Sequence, residues 1–158
     1  FKSSAKKYDL DWQLLAAIAY QESYLKPESV SPTGVRGLMM LTDSTARAMG
    51  VINRVDPSQS IQGGAKYYDL MLSRYAAIPQ PDRHWFALLA YNMGPGAVSQ
   101  IQSQIRAQGK NPNQWIHMYE FLNRNQARNG RYRQAVQYVT RIRAYLEHIK
   151  TSPRMLDL

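Results

Sequence analysis

Two stretches of the chain, wound as helices, are apolar around most of their circumference, and most of the rest alternates apolar and polar residues with a helical period. In Asp11 to Ser23, DWQLLAAIAYQES, only Asp11, Gln13, Gln21, Glu22 and Ser23 are plainly polar, and Asp82 to Asn92, DRHWFALLAYN, is nearly as apolar. Both belong in a core. Ile61 to Tyr75 repeats Ala65, Tyr68, Leu72 and Tyr75, and Ala97 to Gln108 carries Val98, Ile101 and Ile105 on one side. Tyr132 to Lys150 shows the clearest stripe, Ala135, Tyr138, Val139, Ile142, Tyr145, Leu146 and Ile149. A basic turn over Phe1 to Tyr8, a short helix from Thr42 or Asp43 to Gly50, and another from Pro112 to about Asn123 complete the set. Prolines, glycines and hydroxyl residues make Lys26 to Gly37, KPESVSPTGVRG, a loop, and Asn53 to Ser60 reads as a second one. Gly37 to Leu41, GLMML, is a short apolar patch pressed on the core. The pattern predicts a mainly α chain of seven or eight helices with little or no β structure.

Composition narrows this further. At 158 residues and 44% hydrophobic, the chain fits one compact domain spanning 1–158, able to bury about 70% of its unfolded surface. It has no run of 18 or more apolar residues and no charged segment leading into a signal-like apolar one. Beginning at Phe1, it reads as a piece of something longer. Cysteine is absent, which excludes disulfides, thiol nucleophiles and zinc-thiolate sites. His84, His117 and His148 lack ligand spacing, so no metal is expected. The net charge of +9 is uneven. From Phe121 on, Arg124, Arg128, Arg131, Arg133, Arg141, Arg143, Lys150 and Arg154 face only Glu147 and Asp157. Such a surface attracts polyanions, or is simply a solvated helical face.

The candidate chemistry starts at Glu22. Ala19, Ile18 and Leu15 lie three, four and seven residues before it, on its own helical face, so its carboxyl leaves the helix on an apolar side. Partial desolvation and the negative helix end both favour the protonated form. A carboxyl in an apolar pocket can titrate near about 6, against about 4.3 for a free Glu, which suits a general acid at neutral pH. The plain alternative is a solvated Glu at a frayed helix end. Tyr91 and Asn92 likewise end an apolar helix before Gly94, where helix ends can present polar groups from a rigid body. Taken singly, they read as a core tyrosine and a helix-terminating Asn, and Tyr138 as a core aromatic.

Together these pieces resemble a known family. Glu22-Ser23, then Gly37-Leu38-Met39, then Ala90-Tyr91-Asn92 with Gly94, and finally Tyr138 match in order the four motifs of the family 1 lytic transglycosylases, of the glycoside hydrolase family 23 type. The match runs from about Asp9 to Leu146. The resemblance implies a lysozyme-like fold, no cofactor, and cleavage of peptidoglycan between N-acetylmuramic acid and N-acetylglucosamine. It makes Glu22 the acid and then the base that closes a 1,6-anhydro ring. Ser31 and Tyr138 would orient Glu22 or the substrate acetamido group. Ser23, Gly37, Leu38, Met39, Met40, Tyr91 and Asn92 would contact or shape the groove. Met40 is a departure, because most of the family has Gln there, and an adaptable apolar contact replaces a side-chain amide. The nearest members are membrane-bound, with a solute-binding-like N-terminal domain, and are held at the outer membrane facing the periplasm. The implied partners are glycan strands and muropeptides, not nucleic acid, with membrane association and any regulatory domain in parts missing from this chain.

Two other readings compete. A goose-type lysozyme-like hydrolase would add a loop acid, Glu28, Asp43 or Asp56, as base, since glycoside hydrolysis usually needs two carboxylates. A noncatalytic helical module would instead bind nucleic acid or cell-wall polymer through Arg131, Arg133 and Arg141.

Overall fold

Some of the helices begin where a side chain takes up a free amide. The computed structural model describes residues 1–152 and holds eight helices among them: α1 Lys2–Tyr8, α2 Trp12–Ser23, α3 Asp43–Ala48, α4 Pro57–Arg74, α5 Asp82–Met93, α6 Pro95–Ala107, α7 Trp115–Asn125 and α8 Gly130–Thr151. Asp11 caps α2 by accepting from the Gln13 amide at 2.9 Å, and Thr42 caps α3 by accepting from Thr45 at 3.0 Å. The only extended pairing among the described residues is two isolated antiparallel bridges, Val30 with Arg36 and Arg36 with Leu41. The mainly α expectation holds, with boundaries within a few residues in most places.

The largest correction is at α4. A loop was expected through Ser60, but the helix starts at Pro57, with Asp56 Oδ2 accepting from the Gln59 amide at 2.9 Å. Asp before Pro is a helix-start signal in its own right: the carboxylate caps, and the proline gives up an amide that has no helical partner anyway.

The described chain divides into two compact units, Phe1–Asp69 with 141–152, and Leu70–Thr140. In the first, α2 is the buried element, with Leu14 through Ala19 all at or below 3% exposure. Leu38, Met39, Leu41, Ala46, Ala65, Tyr68, Ile142 and Ile149 are also buried there. Gly63 and Gly64 explain themselves in this unit. A Cβ on Gly63 would collide with Val51, and one on Gly64 would lie 2.6–2.7 Å from the Met39 side chain. Glycine weakens a helix interior by roughly 0.5–1 kcal/mol, and here it lets α4 approach the 37–51 segment closely.

In the second unit α6 packs on both α5 and α7. Phe86 of α5 meets the Trp115 ring edge-on at 5.6 Å, and Asp82 Oδ2 accepts from the Trp115 amide at 2.9 Å. The carboxylate at the start of α5 therefore also holds the start of α7.

Candidate active site

Glu22 stands in the last turn of α2, half-buried, on a helix whose body has almost no contact with water. Its neighbour Ser23 is 3% exposed, and the Ser23 hydroxyl shares its one proton between the carbonyls of Ala19 at 3.0 Å and Leu38 at 2.9 Å. The second bond spans fifteen positions of sequence and ties the end of the Glu22 helix to the apolar patch. Ser29 Oγ donates to the Ser23 carbonyl at 3.3 Å, and the Gly37 amide donates to the Ser29 carbonyl at 3.0 Å, so the loop closes back on the same helix end.

The 31–41 loop is ordered by local bonds. Ser31 Oγ accepts from the amides of Thr33 and Val35, each at 3.2 Å, and lies 2.9 Å from Thr33 Oγ1. Arg54 Nη1 donates to the carbonyls of Gly34 at 3.1 Å and Leu41 at 2.9 Å, bracing the loop from outside. Ser60 Oγ accepts from the Met39 amide at 3.0 Å. Gly37 has a φ of +87°, and a Cβ there would run into the Arg54 carbonyl, so the position admits glycine alone.

These facts sort the expected substrate residues. Ser23, Gly37, Leu38 and Met39 are all buried, and their side chains or backbone hold the loop against α2 and α4. Surface contact in this segment falls to Met40, which is half-buried, and to Ser31, also half-buried. In the second unit Tyr91 is half-buried and Asn92 exposed, at the end of α5, where the Gly94 amide closes the helix on the Ala90 carbonyl at 2.8 Å. Arg131 Nη2 donates to the Met93 carbonyl at 3.1 Å and fixes this end further. Tyr138 lies on α8 and is 4% exposed, in keeping with its place on the apolar stripe.

Sequence reasoning missed Arg54, Ser60, Gly63 and Gly64. The Gly-Gly pair inside an otherwise helical pattern was the available signal, because such glycines commonly mark a close backbone approach.

Asp11, Asp43 and Asp56 have other tasks. Asp11 and Asp56 cap helices, and Asp43 pairs with Arg47 at 2.9 Å on an exposed surface. Glu28 is exposed. Among the described residues no three His, Asp or Glu side chains are grouped to hold a metal ion, and no helix is long and apolar enough to cross a membrane. A polar cavity of about 230 Å³, lined by Lys7, Tyr8, Gln59, Gln62 and Lys66 among others, contains none of the candidate residues. The arrangement thus offers one half-buried carboxyl on a rigid mount beside a braced loop.

Known proteins resemble this chain along most of its length. The family model described as the Transglycosylase SLT domain matches residues 1–114. A membrane-bound lytic murein transglycosylase F from Stutzerimonas stutzeri is 45% identical over 98% of the chain and 34% of its own length. One from Pseudomonas putida is 48% identical over 93% of the chain and 32% of its own length. The chain therefore spans about a third of these curated relatives. Among solved structures, lytic transglycosylase Slt of Pseudomonas aeruginosa superposes with a TM-score of 0.70 at 24% identity, over 91% of the chain and 22% of that protein. The 70 kDa soluble lytic transglycosylase of Escherichia coli does so at 0.67 and 22% identity, over 95% and 24%. These two are likenesses of fold, and they bear out the lysozyme-like architecture.

Proposed function

Because the chain belongs to the Transglycosylase SLT domain family, we propose that residues 1–158 form the catalytic module of a peptidoglycan lytic transglycosylase. Glu22 acts first as general acid, passing its proton to the glycosidic oxygen as the bond from C1 of N-acetylmuramic acid breaks. The resulting carboxylate then takes the proton of the muramyl C6 hydroxyl, whose oxygen attacks C1. The products are a free N-acetylglucosamine hydroxyl and a 1,6-anhydromuramyl end, with no water consumed and Glu22 protonated again.

The observation that carries this reading is the half-buried Glu22 carboxyl on a rigid helix end, with Asp11, Asp43 and Asp56 engaged elsewhere and Glu28 exposed. Hydrolysis by the usual route asks for a second carboxylate to activate water or attack the sugar. Ring closure by the sugar's own hydroxyl needs one. Of the three acids a hydrolase would recruit, Asp56 is a helix cap and Asp43 an ion-pair partner of Arg47.

Met40 lines the groove as an apolar contact, Tyr91 and Asn92 contact sugar, and Ser31 and Tyr138 support Glu22 or the acetamido group. Ser23, Gly37, Leu38 and Met39 serve binding through the loop they hold. The substrate is murein glycan, and the site of action is the periplasm, at the outer membrane. The relatives are membrane-bound by name, and attachment and any regulatory domain would reside outside this chain.

The test is mass spectrometry of muropeptides released from purified sacculi, with Glu22→Gln alongside. Ends lighter by one water from the wild type, and at least a hundredfold fewer from the variant at unchanged Tm, are expected for loss of a general acid. Hydrated ends would make the chain a hydrolase, and an active Glu22→Gln would remove Glu22 from the chemistry.

A further inference from the structure

Directly after Glu22-Ser23, the backbone does something side chains resist. Tyr24 has a φ of +52° and Leu25 of +61°, two consecutive bulky residues in the left-handed region. Tyr24 ends α2 with its amide on the Tyr20 carbonyl at 2.9 Å, a position where glycine or asparagine is at ease. Strained backbone of this kind concentrates at ligand-binding and catalytic sites.

The strain displays an aromatic ring. Tyr24 is 63% exposed and Tyr20 37%. The Tyr24 ring meets Tyr20 edge-on at 5.5 Å, and Tyr20 meets Tyr145 of α8 edge-on at 4.8 Å. Edge-to-face contacts add orientation to apolar burial, so the outermost ring is held in place rather than left to swing. A Lys, Glu or Asn at this exposed position would remove apolar surface from water; the chain instead presents a fixed phenol.

We propose that Tyr24, buttressed by Tyr20 and Tyr145, is a stacking platform for a sugar ring of the glycan strand, along the strand from the bond that Glu22 protonates. A pyranose offers an apolar face of C–H groups, and N-acetyl sugars add a methyl; both suit the negative face of an aromatic ring. Two residues of chain keep the Tyr24 Cα within about 7 Å of that of Glu22. Because the Tyr24 ring turns onto Tyr20, two positions from Glu22 and on another side of α2, the platform takes a sugar further along the strand than the reacting pair. The platform rests on the proposed transglycosylase reading, and it fixes where the strand lies without entering the proton transfers.

Tyr24→Gly tests this well, because the left-handed backbone favours glycine and the variant should keep or raise its Tm. The expected result is a Kd of peptide-free glycan strands on Glu22→Gln that is roughly three- to tenfold weaker once Tyr24→Gly is added. In the active chain KM for the same strands should rise by a like factor with kcat kept, and Tyr24→Phe should behave as wild type. Should Tyr24→Gly fail to fold, Tyr24→Asn, also at home in this conformation, carries the same comparison. Anhydro products from the wild type together with unchanged affinity in Tyr24→Gly would overturn the platform and leave the transglycosylase reading standing. No anhydro products and no strand binding by Glu22→Gln would overturn both.

Discussion

A phenol out of reach of water resists losing its proton, and Tyr68 is such a phenol. Its side chain is fully buried, and burial pushes its pKa well above the ordinary value of about 10, with the negative charge of Asp11 pushing the same way. The sign of the stability effect follows. Below about pH 10 the hydroxyl is protonated in both folded and unfolded chains; as pH rises further the unfolded chain releases its proton first and is favoured. Tyr68 therefore contributes stability that is whole at neutral pH and lost as pH rises past about 10. Thermal melts between pH 8 and 11 should show Tyr68→Phe less stable than wild type at pH 8, with the gap narrowing toward pH 11. A gap that holds constant would mean the phenol keeps its proton in neither state preferentially. Ser23 makes the complementary point among uncharged groups. The Glu-Ser pair drew attention in the sequence because of the Glu, yet the Ser, by bonding Leu38, fixes where the Glu sits.

Among the elements, those with a strong apolar period were legible from the sequence alone: the bodies of α2, α5 and α8 lie where Leu14 to Ala19, Phe86 to Ala90 and the Ala135 to Ile149 stripe put them. Periodicity failed at the start of α4, where the signal is a cap and a proline rather than a stripe. It is blind to the bonds that make the site, since Ser23 with Leu38, Met39 with Ser60, and Tyr20 with Tyr145 join residues far apart in sequence. Arg131 shows the same gap. By sequence it belonged to a polyanion-binding face, but its guanidinium holds the Met93 carbonyl at the end of α5. That helix has no basic residue in its own last turn, so Arg131 supplies the positive charge that a helix C-terminus favours. Such an interaction at an exposed position is worth about 0.3–1 kcal/mol, or roughly 1–4 °C in a chain of this size. Arg131→Ala should lower Tm by that amount and speed hydrogen exchange at the Gly94 amide, whereas Arg133→Ala, also exposed, should leave both unchanged. Equal effects from the two would show that general charge, not the Met93 bond, was being lost.

For the molecule as a whole, the net charge of +9 remains to be explained once individual tasks are assigned. Arg131 holds Met93, and Lys150 lies 3.6 Å from Asp11 Oδ2 in a partly exposed pair. Arg124, Arg128, Arg133 and Arg141 are exposed, and Arg154 lies outside the described residues. Exposed charges add little to stability, but their summed field reaches a Debye length into solvent and draws in opposite charge. Murein carries carboxylates on its peptides, so a chain that acts on it gains encounter rate and affinity from this surplus. Raising ionic strength from about 0.1 to 1 M shortens the reach of the field from about 10 to about 3 Å. Turnover of sacculi should therefore show KM rising with salt while kcat holds, because Glu22 and the bound sugar are too close together for salt to screen. The joint charge reversals Arg133→Glu and Arg141→Glu should raise KM at 0.1 M and leave little further salt dependence. A KM indifferent to salt, with Arg133→Glu and Arg141→Glu as active as wild type, would reduce the basic surplus to a solvated surface and leave substrate capture to the groove alone.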